Sequence, residues 1–301
     1  MSHGERELSL VLGSGGARGL AQIGVIRWLE ENSDYRIRAI AGSSMGGLIG
    51  GIYAAGKLDQ YEEWVTKLSK YDVLRLLDFA FSRSGLFSGE RLMGKLEEML
   101  GDVDIEELPI TFTAVATDIE RGREVWLNRG SLFEAIRASI AIPTVFTPVK
   151  RDGRLLVDGG LLNPVPVAPT LRDSTEMTVA VSLSGRSEEA FQPKEEEPEP
   201  PTDDQNAYRR AIGQFIEGLQ DKLGLMSDNL EPDIDVFDII SRSIEAMQNS
   251  IARFRIAAYN PDHLIEIPVN ACGIFEFHRA REMIDLGYER AERALSDIRR
   301  R

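Results

Sequence analysis

With 301 residues, 43% of them apolar and 28% charged, the chain has the composition of an ordinary globular protein and enough length to bury a sizeable core. A formal charge of −14, about half of it concentrated between Glu188 and Asp204, excludes a nucleic-acid surface, whose phosphates need a basic face, and excludes attraction to anionic lipid by charge alone. The lone cysteine, Cys272, excludes an intrachain disulfide, and Met1 to Glu7 does not read as a secretory leader, so a reducing cytoplasm is the expected location.

Taken in chain order, Leu8 to Leu12 predicts a short buried strand that runs into a glycine loop, Gly13-Ser14-Gly15-Gly16-Ala17-Arg18-Gly19, and then a helix through Trp28. Ile37 to Ala41 repeats the pattern: a strand, the turn Gly42-Ser43-Ser44-Met45-Gly46, and a small-residue helix that Gly56 stops. The apolar run from Ala39 to Gly56 is broken by serines and glycines and reads as strand, turn and buried helix, not as a membrane span. Two such units in succession predict an α/β sheet with helices on both faces.

The apolar stretch from Val73 to Phe87, interrupted by Arg75, Asp78 and Arg83, reads first as core packing and alternatively as an acyl-chain wall or lid. Further strands are expected at Ile110–Thr117, Glu124–Leu127, Leu155–Val157 and Met177–Leu183. From 187 to 204 the chain is acidic and rich in proline, which predicts a disordered loop or linker. Beyond it, Ile240, Ile244, Met247, Ile251, Phe254 and Ala258 recur at spacings of four and three, the pattern of an amphipathic helix expected to pack on the core. From Phe277 a charged surface helix is expected. The domain reading is a core over 1–186, the acidic segment 187–204, and a mainly helical region over 205–301 packed on the core.

Three places could carry chemistry. Gly42-Ser43-Ser44-Met45-Gly46 fits G-x-S-x-G, in which a sharp strand-to-helix turn exposes the central serine and flanking glycines relieve the crowding; Ser44 is the candidate nucleophile. The loop at Gly13 to Gly19 could aim backbone N–H groups at an oxyanion. A nucleotide cradle is the rival reading, but neither the dinucleotide spacing G-x-G-x-x-G nor the Walker lysine is present. Val157-Asp158-Gly159-Gly160 delivers a carboxylate from a strand into a glycine turn, and a serine hydroxyl needs a base within about 3 Å. Of the histidines, His3 is terminal, His278 opens the last helix, and His263 follows the turn-like Asn260-Pro261-Asp262 and reads as a solvated loop residue. Elimination therefore favours Asp158 as the base and a Ser/Asp dyad over a triad.

The loop Gly15 to Gly19, the Ser44 pentapeptide and Asp158-Gly159-Gly160, in this order, resemble the patatin-like phospholipase family. The similarity extends to Ala116-Thr117-Asp118, Ala138-Ser139-Ile140-Ala141-Ile142-Pro143 and Asn163-Pro164-Val165-Pro166. It looks nearest to bacterial proteins akin to the neuropathy target esterase catalytic domain. The resemblance implies a three-layer α/β/α fold with a helical C-terminal region, and hydrolysis of fatty-acyl esters of phospholipids or lysophospholipids through Ser44 and Asp158. It further implies an oxyanion loop at Gly15, Gly16, Ala17 and Arg18, with Gly13, Gly19, Gly42, Gly46, Gly159 and Gly160 as motif glycines. No metal or cofactor is implied, and transient contact with a membrane surface is compatible with it. Ser14 stands where many relatives have glycine, a departure expected to alter loop stiffness without abolishing the oxyanion hole. Arg18 could face a phosphate or carboxylate, but bracing of the loop is the favoured reading. Two other functions stay open: a carboxylesterase on small esters, and a catalytically silent lipid-binding regulator.

Overall fold

The computed structural model describes residues 6–76, 89–143, 145–191 and 236–300. Eight strands form one sheet: β1 (Arg6–Leu12), β2 (Tyr35–Ser43), β3 (Thr111–Asp118), β4 (Arg123–Leu127), β5 (Val149–Arg151), β6 (Arg154–Asp158), β7 (Met177–Gly185) and β8 (His263–Pro268). Their order is β5-β6-β3-β2-β1-β7-β8, with β4 paired to β3. The run β3-β2-β1-β7-β8 is parallel, whereas β4, β5 and β6 pair antiparallel.

The alternation along β1 defines the layers. Leu8, Leu10 and Leu12 point into the main core, shared with α1 (Ala21–Asn32), α2 (Met45–Ala54) and the last helix, while Val11 points to the opposite face. There it meets Val165, Val167 and Ala180 and, above them, Ala252 of a long helix over Val236–Tyr259. The result is the expected three-layer α/β/α arrangement. Among the described residues, the shorter helices α3 (Leu58–Val65), α4 (Lys70–Leu76), α5 (Glu90–Leu100) and α6 (Leu132–Ser139) precede the long helix, α7, and the last, α8 (Ala280–Ala294).

Three expectations need correction. The region around His263 is no solvated loop: it opens β8, a strand parallel to β7, because the apolar Leu264, Ile265 and Ile267 continue the sheet past Val179 to Val181. The last helix is no simple surface helix. Its inner face, Ala280, Met283, Ile284, Gly287 and Ala291, is buried against α1, and the crossing is so close that a Cβ at Gly24 would overlap the carbonyl of Ile284, and one at Gly287 the carbonyl of Ala21.

The third correction concerns α7. The helix forms, but its apolar stripe packs inward only in part: Ile244 and Ile251 are half-buried, whereas Met247 is 58% and Phe254 75% exposed. The inward face carries Glu245, Ala252, Arg255 and Ile256 instead. Ion pairs flank the apolar contact of Ala252 and Ile256 with the sheet, Glu245 Oε1 accepting from Arg18 at 2.7 Å and Arg255 donating to Glu124 at 3.1 Å, so charged anchors help to set which face the sheet receives.

Of the acidic segment, residues 187–191 are held to the core, Glu188 by both terminal nitrogens of Arg290 at 2.8 and 2.6 Å; 192–204, like 205–235, lies outside the described residues. So do His3 and residues 77–88, which hold most of the candidate acyl wall.

Candidate active site

Ser44 stands between the last residue of β2 and the first of α2, with φ 54° and ψ −123°. Such a conformation is costly for a residue with a Cβ and recurs where a side chain must be presented at a sharp turn. The turn closes only because its flanks are glycine: a Cβ at Gly42 would overlap the carbonyl of Gly46, and one at Gly46 the carbonyl of Leu12.

The sheet brings the base to the serine. On β3, Val115 lies opposite Ser43 of β2, and its neighbour Ala116 lies opposite Asp158 of β6. Consecutive residues of one strand therefore bring the ends of two others side by side. Across that gap the Ser44 hydroxyl donates to Asp158 Oδ2 at 2.6 Å, while Oδ1 accepts the Gly160 N–H at 2.7 Å. Both residues are 3% exposed. Burial pushes the Asp158 carboxyl up to about 6, against the two hydrogen bonds, which pull it down. At neutral pH it remains mainly ionised and can accept a proton.

The glycine loop runs as a 3₁₀ turn, Gly16–Leu20, into α1. Gly13 donates to the Val181 carbonyl, and its own carbonyl is held by the Gln22 amide at 2.7 Å. Gly19 packs against Met45 beside the elbow, and Gly159, past Asp158, packs against Val115 and Ser43. Of the four residues expected to form an oxyanion hole, Ala17 has its N–H engaged by the Ile274 carbonyl at 2.9 Å. The N–H groups of Gly15 and Gly16 have no acceptor among the described residues, and both residues line the cleft that contains Ser44. Gly16 adopts φ +58°, open to glycine at little cost. The Arg18 guanidinium, at the wall of the cleft, donates to the Val269 carbonyl (2.6 Å) and to Glu245, so it braces the loop against the C-terminal region.

Two clefts meet at Ser44 and Gly16. One, with ~700 Å³ of empty space open to solvent, is walled by apolar side chains, among them Met45, Leu48, Leu68, Val73, Leu76 and Ile140. Val73, expected to be core or acyl wall, is both: it is buried against Val145 and Phe146 and lines this cleft. The other cleft, ~740 Å³, is the more polar of the two, with Ser14, Arg18, Asp158, Glu245 and Gln248 set among apolar side chains such as Val145, Leu161 and Ile244. Among the described residues no histidine lines either cleft, and His263, which opens β8, lies three strands from β2 and level with Ile40, short of the end that carries Ser44. Among the described residues, no group of three His, Cys, Asp or Glu side chains is arranged to hold a metal ion.

Sequence reasoning passed over Gln22, Glu245 and the contacts of Ser139. Ser139 lay in a motif already noticed, and Gln22 follows the glycine loop by three residues, whereas Glu245 is 227 residues from its partner Arg18, a contact that only the fold reveals.

A strained serine at a strand-to-helix elbow, bonded to a buried aspartate, has the layout of a serine hydrolase site. The family model for patatin-like phospholipases matches residues 10–171, and the chain belongs to that family. It is a carboxylic ester hydrolase of the lipid-cleaving class. NTE family proteins of Mycobacterium tuberculosis and Mycobacterium bovis, themselves uncharacterized, are 39% identical over 330 residues, covering 96% of this chain and 91% of theirs. The neuropathy target esterase sws of Drosophila persimilis is 34% identical over 166 residues, which is 53% of this chain but only 11% of the fly protein.

Proposed function

We infer that the protein hydrolyses fatty-acyl esters of phospholipids or lysophospholipids, with Ser44 as nucleophile and Asp158 as general base. The observation that carries this reading is the 2.6 Å hydrogen bond from Ser44 to Asp158 at the junction of an apolar and a polar cleft. Asp158 takes the hydroxyl proton as Ser44 Oγ bonds to the ester carbonyl carbon. The N–H groups of Gly15 and Gly16 face the oxyanion, and the proton passes to the departing alcohol as its C–O bond breaks. Water then repeats the sequence on the acyl-enzyme: Asp158 takes its proton, Ser44 leaves as the hydroxyl, and a fatty acid is released.

The two clefts suit the two ends of such a substrate. The apolar one accommodates the acyl chain, and the polar one the glycerol and headgroup side. Delivery from a membrane fits α7, whose Ile244, Glu245 and Gln248 line the polar cleft while Met247 and Phe254 face solvent. In the described residues no helix is long and apolar enough to cross a membrane, so the contact would be peripheral.

The test is labelling with a fluorophosphonate probe, followed by hydrolysis of short-chain esters, long-chain esters and lysophospholipid. Wild type should label and turn over substrate, faster with long chains. Ser44→Ala should not label, and Asp158→Ala should lose on the order of 10³-fold or more in rate, as removal of a paired base does in other hydrolases. Preference for short soluble esters would make the protein a general carboxylesterase, and a folded wild type that neither labels nor hydrolyses any ester would overturn the enzymatic reading.

A further inference from the structure

Ser139 is fully buried at the end of α6, and its single hydroxyl proton goes to the Val115 carbonyl at 2.7 Å. The oxygen is thereby turned as an acceptor toward the Ser44 N–H, 3.0 Å away. Val115 is the residue at which β3 stops pairing with β2 and its neighbour begins pairing with β6, so the hydroxyl plugs the fork in the sheet from which both Ser44 and Asp158 emerge. Two residues further on, the Ala141 carbonyl accepts the Asp158 N–H at 2.9 Å. Gly47 leaves room for the arrangement: a Cβ there would come within 2.7 Å of the Ser139 oxygen.

We propose that Ser139 is a positioning residue for the hydrolytic pair, its hydroxyl fixing the backbone of the strained nucleophile while the same short segment fixes the backbone of the base through Ala141. Ser44 occupies a left-handed conformation that relaxes unless its surroundings hold it. Its N–H points away from its own helix and, without Ser139, has no partner in a water-free setting. Release of this bond lets the elbow rotate and lengthens the contact from Ser44 to Asp158, while the walls of both clefts stay in place. The loss should therefore fall on the chemical step and not on substrate binding.

The inference rests on the hydrolase reading, and the experiment separates the two. The second-order rate constant for fluorophosphonate labelling, together with kcat and KM on a soluble ester, is measured for wild type, Ser139→Ala, Ser139→Cys and Ser139→Thr, all well below their melting temperatures. Ser139→Ala should slow labelling and lower kcat by about 10- to 100-fold, the range a misplaced reacting group costs, with KM within about twofold. Ser139→Cys, close in size but a weak acceptor, should lose similarly, and Ser139→Thr, which keeps the hydroxyl, should recover rate over both. The acid limb of the labelling profile should also move to higher pH in Ser139→Ala, since a weakened bond from Ser44 no longer pulls the Asp158 carboxyl down.

A Ser139→Ala protein with a lower melting temperature but a wild-type labelling rate would show Ser139 to be structural only. If that variant does not fold, Ser139→Cys decides, and an unchanged rate there overturns the proposal. A wild type that does not label overturns the hydrolase reading instead.

Discussion

At the scale of single residues, Asp158, the proposed base, weighs against stability. Its carboxyl is buried and raised from 3.8 to about 6, so between those values the folded chain holds a proton that the unfolded chain releases. Stability therefore falls as pH rises through this window, and above pH 6 the folded state carries the full cost of an ionised buried carboxylate, roughly 3 kcal/mol at 1.36 kcal/mol per pH unit. Asp158→Asn keeps the shape and removes the charge. Denaturant unfolding should show the variant more stable than wild type by about 2–3 kcal/mol at pH 8, the gap closing near pH 4, while labelling of Ser44 is lost. A gap of the same size at both pH values would mean that burial of the charge is not its source. The pair itself was legible in the sequence, because an elbow and a strand-end aspartate each carry a local glycine signature. The partition of the glycine loop was not. That the Ala17 N–H is taken by Ile274 depends on a contact more than 250 residues away, which no local pattern encodes.

At the scale of elements, six of the eight strands were legible as apolar runs bounded by glycine, proline or polar turns. Two were missed: β5, only three residues long and alternating in exposure, and β8, disguised by the turn-like sequence before it. The last helix misled for a different reason. Its average is polar, and on the inner face only Met283 and Ile284 are large apolar residues, the small Ala280, Gly287 and Ala291 adding little apolar signal. At Gly287 the role is close approach. In an isolated helix Gly24→Ala would gain about 1 kcal/mol of helix propensity, but here the added methyl meets the backbone of α8 at Ile284 and must push the helices apart. Gly24→Ala and Gly287→Ala should each lower stability by about 1–3 kcal/mol, the cost of overpacking a tight contact. Thermal and denaturant unfolding check this, with Gly56→Ala as a control, since that glycine lies in open space at a helix end and loses only its favourable φ of +67°. Equal or greater stability of the α1 and α8 variants would mean that the crossing is looser than the packing implies.

At the scale of the molecule, the feature least legible in the sequence is which way α7 faces. Apolar periodicity proposes a buried stripe, yet with Glu245 paired to Arg18 and Arg255 to Glu124, Met247 and Phe254 of that stripe face outward while Ile244 lines the polar cleft. With a net charge of −14, electrostatic attraction cannot bring the protein to an anionic surface, so an encounter with lipid has to come from apolar contact, and Met247 and Phe254 are the large apolar side chains that α7 exposes. Burying two such side chains in a bilayer interface contributes about 1.5–3 kcal/mol each. Met247→Asp and Phe254→Asp together should therefore weaken sedimentation with phosphatidylcholine vesicles by at least tenfold and slow hydrolysis of vesicle lipid in proportion. Turnover of a soluble short-chain ester should be unaffected, because neither residue lines a cleft. Raising the salt or adding anionic lipid should not strengthen wild-type binding through charge attraction. Undiminished vesicle binding by the double variant would remove α7 as the contact, and binding that rises with anionic lipid and falls with salt would show that a basic surface elsewhere, not this apolar stripe, governs approach to the substrate.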